Sequence, residues 1–240
     1  MSVQDRYQQY LSDQRRVFDE LITEDWDTYF STEWDIVRRF EVAQLFARIR
    51  PARILDVGCG CGFHDQEMAN YSFVKTVDAI DYSEKSVQKA EEAYPHEKVT
   101  RWVADLAKDH PRKIYDLVVS FQVFEHLDKP DSYFRYCREA CADDGHIAIF
   151  TPNRGRLRNV LRRLLGLKAE LLDPQHFREY SRSELRSLGE LYGFEYAYSF
   201  GYGMNGAGWI DRRPVDARLR MGQSVPWFAN CFCLLMRKKK

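Results

Sequence analysis

The sequence lacks the segments that would mark a membrane-spanning or secreted protein. No apolar run approaches the roughly 18 residues that a membrane-spanning helix needs, and the mean hydropathy is −0.53. Residues 1–6 hold no apolar stretch of the kind that a secretory signal carries. We therefore expect a cytoplasmic protein. Its 240 residues, 45% hydrophobic and 14% aromatic, are enough for one large domain or a domain with an appendage.

Net charge is also missing, because 36 Lys and Arg residues balance 36 Asp and Glu residues. The composition thus gives no reason to expect a nucleic-acid partner. Although the net charge is zero, acidic and basic residues are concentrated in different parts of the chain. Residues 1–35 carry nine acids and three bases, whereas residues 154–168 carry six bases and no acid. Residues 201–240 carry eight bases and two acids, and residues 36–153 are nearly balanced, with 16 bases and 19 acids.

No pair of cysteines has the C-x-x-C spacing of a zinc ribbon or a thioredoxin-like site. The six cysteines are Cys59, Cys61, Cys137, Cys141, Cys231 and Cys233. We expect buried, reduced thiols and no metal centre built from them.

The spacing of apolar residues predicts two N-terminal helices followed by alternating strands and helices. The helices are predicted over 4–22 and from about Trp34 to Pro51. Strands are predicted over 53–57, 74–80, 99–103, 115–121, 146–150, 194–200 and 230–236, with an Asp-Gly turn at 144–145. Nearly continuous apolar strands separated by helices are typical of a parallel sheet covered on both faces, so the expected fold class is α/β. The connection 201–228, with five glycines and two prolines, is predicted to be a functional flap or a mobile segment.

A glycine-rich turn follows the first predicted strand. It reads Asp56-Val57-Gly58-Cys59-Gly60-Cys61-Gly62. Glycines at alternate positions let the backbone approach a ligand closely. The third glycine of a dinucleotide fingerprint would fall at Phe63, so that pattern fails, and no Gly-Lys-Ser/Thr of a phosphate loop follows. A carboxylate at Asp56 would repel a pyrophosphate but suits a ligand with an ammonium and a sulfonium.

Two further acids follow the next two strands. Asp81 ends the second strand, where a carboxylate can accept both hydroxyls of a ribose. Asp105 follows the third strand, where it can accept an adenine amino group. Each acid alone could simply cap the next helix. Together with the glycines they indicate a nucleoside-binding line along one sheet edge.

With these motifs the chain resembles the class I S-adenosylmethionine-dependent methyltransferases. The segments that carry the resemblance are 56–62, Ile80-Asp81-Tyr82-Ser83, Ala104-Asp105 and Tyr115-Asp116-Leu117-Val118-Val119-Ser120, in the order of that family's motifs I to IV. The resemblance covers roughly residues 36–200. It implies a Rossmann-like, mostly parallel seven-stranded sheet in order 3-2-1-4-5-7-6, with helices on both faces and an antiparallel last strand near 229–237.

The resemblance also implies a set of cofactor-binding residues for S-adenosyl-L-methionine. Asp56 and the backbone of the turn would hold the methionine part, Asp81 the ribose, and Asp105 and Leu106 the adenine, while Ser120 to Gln122 would line the pocket near the methyl group. The full set is Asp56, Gly58, Cys59, Gly60, Gly62, Asp81, Tyr82, Asp105, Leu106, Ser120, Phe121 and Gln122.

The methyl acceptor is expected at the same sheet edge, and three histidines bear on it. His126 follows the fourth strand and is our candidate general base for an acceptor hydroxyl; it could equally be a structural histidine. His176 is expected to close the acceptor pocket with Tyr180 and Asn153, and His64 to pack near the cofactor.

Phe124-Glu125-His126-Leu127 and Thr151-Pro152-Asn153 look most like the quinone-biosynthesis O-methyltransferases. Some of those enzymes have a Glu-x-x-Glu-His pattern associated with a divalent metal. Here the first position is Gln122, so only Glu125 and His126 match, and we predict no metal.

Residues 154–168 combine a helical stripe of leucines with six basic residues. Such a segment can lie on an anionic membrane surface, which would make the protein peripheral to a membrane. It can also form a lid over the acceptor or a plain surface helix. Nucleic acid is not expected, because no aromatic platform accompanies the bases.

The sequence thus predicts an N-terminal helical cap over 1–50 and a methyltransferase domain over 51–240, with acceptor-side insertions at 154–180 and 201–228. The predicted activity is transfer of a methyl group to a small-molecule or lipid-like acceptor, at oxygen. The alternatives are a non-catalytic S-adenosylmethionine-binding protein with a regulatory or partner-binding role and, disfavoured by the glycine spacing, a nicotinamide-dependent oxidoreductase.

Overall fold

A computed structural model describes residue 16 and residues 32–173, 175–205 and 208–240. The helices are α1 (Thr32–Phe46), α2 (Phe63–Ala69), α3 (Glu84–Ala93), α4 (Pro130–Ala140), α5 (Leu157–Leu164), α6 (Arg182–Leu191), α7 (Gly208–Asp211) and α8 (Val215–Ser224), with 3-10 turns at Phe124–His126 and Pro226–Phe228. The strands are β1 (Arg53–Val57), β2 (Thr76–Asp81), β3 (Val99–Val103), β4 (Tyr115–Phe121), β5 (Cys141–Pro152), β6 (Phe194–Tyr202) and β7 (Cys231–Lys238).

The seven strands form one sheet in the order β3-β2-β1-β4-β5-β7-β6. The pairs among β1 to β5 are parallel, and β7 runs antiparallel to both β5 and β6. The predicted α/β fold, strand order and antiparallel last strand are confirmed. The carboxyl ends of β1, β2 and β4 therefore meet at one edge of the sheet, which is where ligands bind in such folds.

Alternate side chains of the strands pack into two apolar layers, one on each face of the sheet. Leu55 and Val57 pack with α4 and α6 residues on one face. Ile54, the residue before Leu55, packs with residues of α1, α2 and α8 on the other face. Because both faces are covered, the strands read as continuous apolar runs, which is why β1, β3 and β4 begin and end where the sequence predicts.

The helix boundaries follow ordinary capping chemistry. The Ser83 hydroxyl accepts a hydrogen bond from the Ser86 amide at 3.1 Å and begins α3, as predicted. Gly193, with φ of 80°, follows α6 and lets the chain turn into β6. The predicted helix over 4–22 lies outside the described residues except for Arg16.

The predicted turn at Asp144-Gly145 is wrong. Both residues lie within β5, which begins at Cys141 rather than near His146. The pairing with β4 shifts register between Tyr115 and Leu117. A bulge thus absorbs the extra β5 residues that sequence reasoning assigned to a turn.

The connection 201–228, predicted to be a functional flap or a mobile segment, is largely helical where the structure describes it. β6 continues to Tyr202, and α7, α8 and a 3-10 turn occupy most of the rest. Val215 and Leu219 of α8 are buried in the same apolar layer as α1. Gly208 and Gly222 lie within α7 and α8, and these residues are untypical of helices, which hid the helices in the sequence. Within the described residues, no helix is both long and apolar enough to cross a membrane.

Candidate functional site

The glycine-rich turn joins β1 to α2 and is tied to the end of β2. Gly58, Gly60 and Gly62 all have positive φ, at 77°, 50° and 83°. A Cβ at Gly58 would lie 2.4 Å from Val123, and one at Gly62 would lie 2.7 Å from Ala90. A Cβ at Gly60 would meet no atom within 4 Å. The outer two glycines therefore serve tight packing, whereas the space beside Gly60 is open to a ligand.

Asp56 is the buried carboxyl group of this site. It is 1% exposed, and neither carboxylate oxygen has a hydrogen-bond partner among the described residues. Burial, with the neighbouring Asp65 and Asp81, raises the pKa of Asp56 well above its ordinary value. An orphaned carboxylate of this kind is costly unless a cation or donor completes it. The arrangement fits a ligand that brings an ammonium group to the base of the turn.

Asp81 links the turn to the start of α3. One carboxylate oxygen accepts the Gly60 amide at 2.9 Å and the other accepts the Ser83 amide at 2.8 Å. The two strand ends are neighbours because Val57 pairs with Ile80. Tyr82 follows Asp81 and is partly exposed. Asp81 and the turn thus lie together, as the sequence predicts.

Asp105 lies one strand further along the edge, after β3. Its carboxylate accepts the Ala107 amide at 2.9 Å and pairs with Lys108 at 2.8 Å. Leu106 packs against the apolar layer beneath. The Asp105 carboxylate is therefore engaged by its own loop, and contact with an adenine stays a prediction.

The residues at the end of β4 differ in their surroundings. Ser120 is fully buried, and its hydroxyl shares a 2.7 Å hydrogen bond with the Tyr133 hydroxyl. Its side chain is therefore bonded within the core. Gln122 has a φ of 55°, which is unusual for a residue with a side chain. Its amide nitrogen donates to the Tyr202 hydroxyl at 3.0 Å. This backbone geometry turns Gln122 across the sheet edge towards β6.

A polar network that sequence reasoning missed joins α1 to this edge. The carboxylate of Glu41 is bonded to His64 Nε2 at 2.8 Å and accepts the Tyr202 hydroxyl at 2.5 Å. The His64 ring stacks on Phe121 with centroids 3.7 Å apart. The signal in the sequence is a lone acid, Glu41, on the apolar face of α1. The N-terminal helix therefore contributes directly to the site.

His126 and His176 face each other, with ring centroids 5.0 Å apart. The Glu125 carbonyl accepts the amides of Phe177 and Arg178, which holds this loop against the 3-10 turn. His126 Nδ1 donates to the Gln175 carbonyl at 3.3 Å, which places the ring's lone pair on Nε2. Burial and the nearby His176 lower the pKa of His126 to about 4. The ring is thus neutral near pH 7.

Glu125 completes this cluster from below. It is fully buried, one oxygen accepts the Thr151 hydroxyl at 3.0 Å, and the other has no partner among the described residues. Burial raises its pKa to about 7. The ligand atoms of Glu125, His126 and His176 lie within 4.8 Å of one another. The sequence matches only Glu125 and His126 to a metal-associated pattern and predicts no metal. With His176 beside them, the three residues form a group that could hold a metal ion.

Asn153 and Tyr180, expected near the acceptor, are engaged by the fold. The Asn153 amide donates to the carbonyls of Trp227 and Ala229, and its oxygen accepts the Gly155 amide. The Tyr180 ring packs against Phe124 in the apolar layer. The amide of Asn153 is therefore occupied within the fold, and contact of either residue with an acceptor stays a prediction.

All six cysteines are free thiols in the structure. Cys59, Cys137, Cys141 and Cys233 are buried, and Cys61 and Cys231 are partly buried. Burial raises the pKa of each, most strongly at Cys59 and Cys233. The thiols therefore act as apolar packing groups.

Comparison with known proteins is consistent with this geometry. The profile of a family described as a methyltransferase domain matches residues 35–199. A "Probable S-adenosylmethionine-dependent methyltransferase" of Mycobacterium tuberculosis is 31% identical over 154 residues, which are 63% of this chain and 52% of the relative. A ubiquinone biosynthesis O-methyltransferase of Caulobacter is 32% identical over 111 residues, 42% of this chain and 41% of that protein. The chain thus spans about half the length of these relatives.

Solved structures share the fold at low sequence identity. The N-methyltransferase NodS of Bradyrhizobium japonicum, in complex with S-adenosyl-L-homocysteine, has a TM-score of 0.63 at 12% identity and covers 95% of this chain and 99% of its own. Magnesium protoporphyrin IX methyltransferase of Synechocystis has a TM-score of 0.62 at 19% identity and covers 93% and 98%. The names of these neighbours point to different acceptors, so the shared fold does not identify the acceptor.

Proposed function

This chain belongs to the methyltransferase domain family, and on that premise we propose that it transfers the methyl group of S-adenosyl-L-methionine to an oxygen atom of a small-molecule or lipid-like acceptor. The observation that carries the proposal is the buried, unpartnered carboxylate of Asp56 beside an open glycine turn. The family's cofactor has both an ammonium and a sulfonium, which suit that carboxylate.

The residues that would hold the cofactor lie along one sheet edge. Asp56 would accept the ammonium and gain the partner it lacks. The turn at Gly60 would allow close backbone approach, and Asp81 and Tyr82 would flank the ribose. When bound, the cofactor supplies a methyl group on a positively charged sulfur, so the protein's task is to position and desolvate the reactants.

His126 is the group that would take the proton of an acceptor hydroxyl. Its Nδ1 donates to the Gln175 carbonyl, so the basic lone pair is on Nε2. It lies on the turn directly after β4, at the edge shared with Asp56. The O-methyltransferase relatives support oxygen as the acceptor atom. His176 would line the opposite wall of this acceptor site.

A divalent cation held by Glu125, His126 and His176 is a second means of activating the same hydroxyl. The Glu179 carboxylate is bonded to His176 Nδ1 at 3.1 Å, and each histidine is thus oriented by an oxygen at Nδ1. Such oriented histidines are typical of metal ligands. A bound cation would lower the pKa of a coordinated hydroxyl and remove the need for a protein base.

A binding measurement distinguishes activation of the hydroxyl by His126 from activation by a divalent cation. Titration of the full chain with Mn²⁺ by calorimetry, with His176→Ala as the test variant and exposed His110→Ala as the control, reports the cation directly. Binding that His176→Ala abolishes favours the cation, whereas no binding favours His126 as the base.

The proposed activity is tested by incubating the protein with labelled S-adenosylmethionine and fractions of a cleared lysate, and identifying the product by mass. We expect a product heavier by one methylene, with the label on oxygen. A non-catalytic, regulatory S-adenosylmethionine-binding protein would bind the cofactor and label nothing.

A further inference from the structure

The segment that follows β5 buries two of its polar side chains and exposes six of its leucines. We call residues 154–172 the leucine lobe. Arg156 and Asn159 of the lobe are buried, as is Glu179 beside it. Six leucines of the lobe are between 45% and 78% exposed: Leu161, Leu164, Leu165, Leu167, Leu171 and Leu172. This is the reverse of the arrangement expected for a helix packed on a domain.

Hydrogen bonds of buried polar groups hold the lobe in this conformation. The Asn159 amide donates to the carbonyls of Arg154 and Glu170, and its oxygen accepts the Glu170 amide. Arg156 pairs with Glu179 and donates to the Glu170 carbonyl. These buried hydrogen bonds fix the backbone of the lobe so that the leucines face outwards.

The charge around the leucines is net positive. The lobe holds six basic residues and one acid, Glu170. Arg158 and Arg162 both pair with Glu170, whereas Arg163 and Lys168 form no ion pair with a described residue. An apolar face surrounded by net positive charge is complementary to an anionic lipid surface.

We propose that the leucine lobe docks on an anionic lipid bilayer. The six exposed apolar side chains are all leucine, which is under-represented among the residues that dominate protein–protein interfaces, where Trp, Tyr and Arg prevail. Six exposed leucines within residues 161–172 are a concentration of apolar surface of the kind that marks an interaction site. Leucines inserted among acyl chains, with Arg163 and Lys168 at the headgroups, account for both features of the lobe.

The lobe connects directly to the acceptor side. It begins next to Asn153 at the end of β5, and the chain leaves it towards His176. Docking would thus bring the acceptor centre next to the bilayer, where a lipid-like acceptor resides. This last point rests on the proposed function, whereas the docking itself does not.

The test is co-sedimentation of the full chain with phosphatidylcholine vesicles, with and without phosphatidylglycerol. We expect binding to the anionic vesicles at least about tenfold stronger than to the neutral ones. Leu164→Gln/Leu165→Gln should lower it about tenfold, and Arg163→Glu/Lys168→Glu should remove the preference for anionic lipid. Leu191→Gln, at an equally exposed leucine on α6, is the control and should bind as the wild type does.

Two results would overturn the proposal. One is equal vesicle binding, or none, for wild type and Leu164→Gln/Leu165→Gln. The other is a vesicle-free dimer, seen by light scattering, that the same variant abolishes. Calorimetry with S-adenosylhomocysteine on each variant keeps this test separate from the proposed function, because the lobe can fail to bind lipid while cofactor binding persists.

Discussion

His64 Nε2 lies 2.8 Å from a carboxylate oxygen of Glu41, a residue of the N-terminal helix. The bond joins α1 to the helix that follows the glycine turn, and Glu41 is 3% exposed. Together with the Tyr202 contact, this bond fixes α1 against the candidate site.

Replacing Glu41 tests this connection. Glu41→Ala leaves His64 and the Tyr202 hydroxyl without their buried partner, so we expect the free energy of unfolding to fall by about 1–3 kcal/mol. Urea unfolding measures it. The matched control is Glu33→Ala on the same helix, whose exposed ion pair with Arg218 contributes about 0–1 kcal/mol. Equal effects of the two variants would contradict the account.

Asp56→Asn should stabilise the ligand-free protein while weakening the cofactor complex. Because the pKa of Asp56 is raised by folding, the folded protein binds more protons than the unfolded chain between the two pKa values, and wild-type stability falls as pH rises. The variant lacks this titration. Its advantage in urea unfolding should therefore grow between about pH 5 and about pH 8, reaching about 1–3 kcal/mol. A difference that is the same at both pH values would show that Asp56 is not the group concerned.

Asp81→Ala should weaken S-adenosylhomocysteine binding by about 1.5–3 kcal/mol, the range for hydrogen bonds to a charged group. Because Asp81 also accepts the amides of Gly60 and Ser83, thermal unfolding is measured in parallel to show that the variant folds. A second variant, Asp81→Asn, retains one acceptor oxygen. The control is the exposed Asp143→Ala. Unchanged affinity in a folded Asp81→Ala protein would mean that the ribose lies elsewhere.

His126→Asn is designed to keep the hydrogen bond to the Gln175 carbonyl through its amide nitrogen while removing the basic Nε2. If His126 is the base, turnover of the acceptor found in the lysate screen should fall by about 10²–10⁴-fold with unchanged cofactor affinity. The exposed His110→Asn serves as the comparison. Full activity in His126→Asn would remove His126 from catalysis.

The sequence predicts this fold well because buried parallel strands and the turns between them have local signatures. Arg53–Val57 and the glycines that follow identify β1 and the turn without any long-range information. The wrong turn at Asp144-Gly145 has the same origin. The local sequence of a β-bulge resembles that of a turn, and only the pairing of β5 with β4 distinguishes the two.

The acceptor side was predicted less completely because it depends on contacts between distant segments. His176 is held beside His126 by backbone hydrogen bonds from the two residues that follow it to the Glu125 carbonyl. Any residue type could make these bonds, so they leave no mark in the sequence. The leucines of the lobe were visible as a stripe, but which way they face depends on the burial of Asn159. Such features carry no periodic signal in the chain.

Calorimetric titration of the full chain with S-adenosylmethionine, S-adenosylhomocysteine and NAD tests the central claim most directly. The account predicts that both adenosyl ligands bind, that Asp56→Asn weakens both, and that NAD does not bind. Binding of NAD without either adenosyl ligand would contradict it.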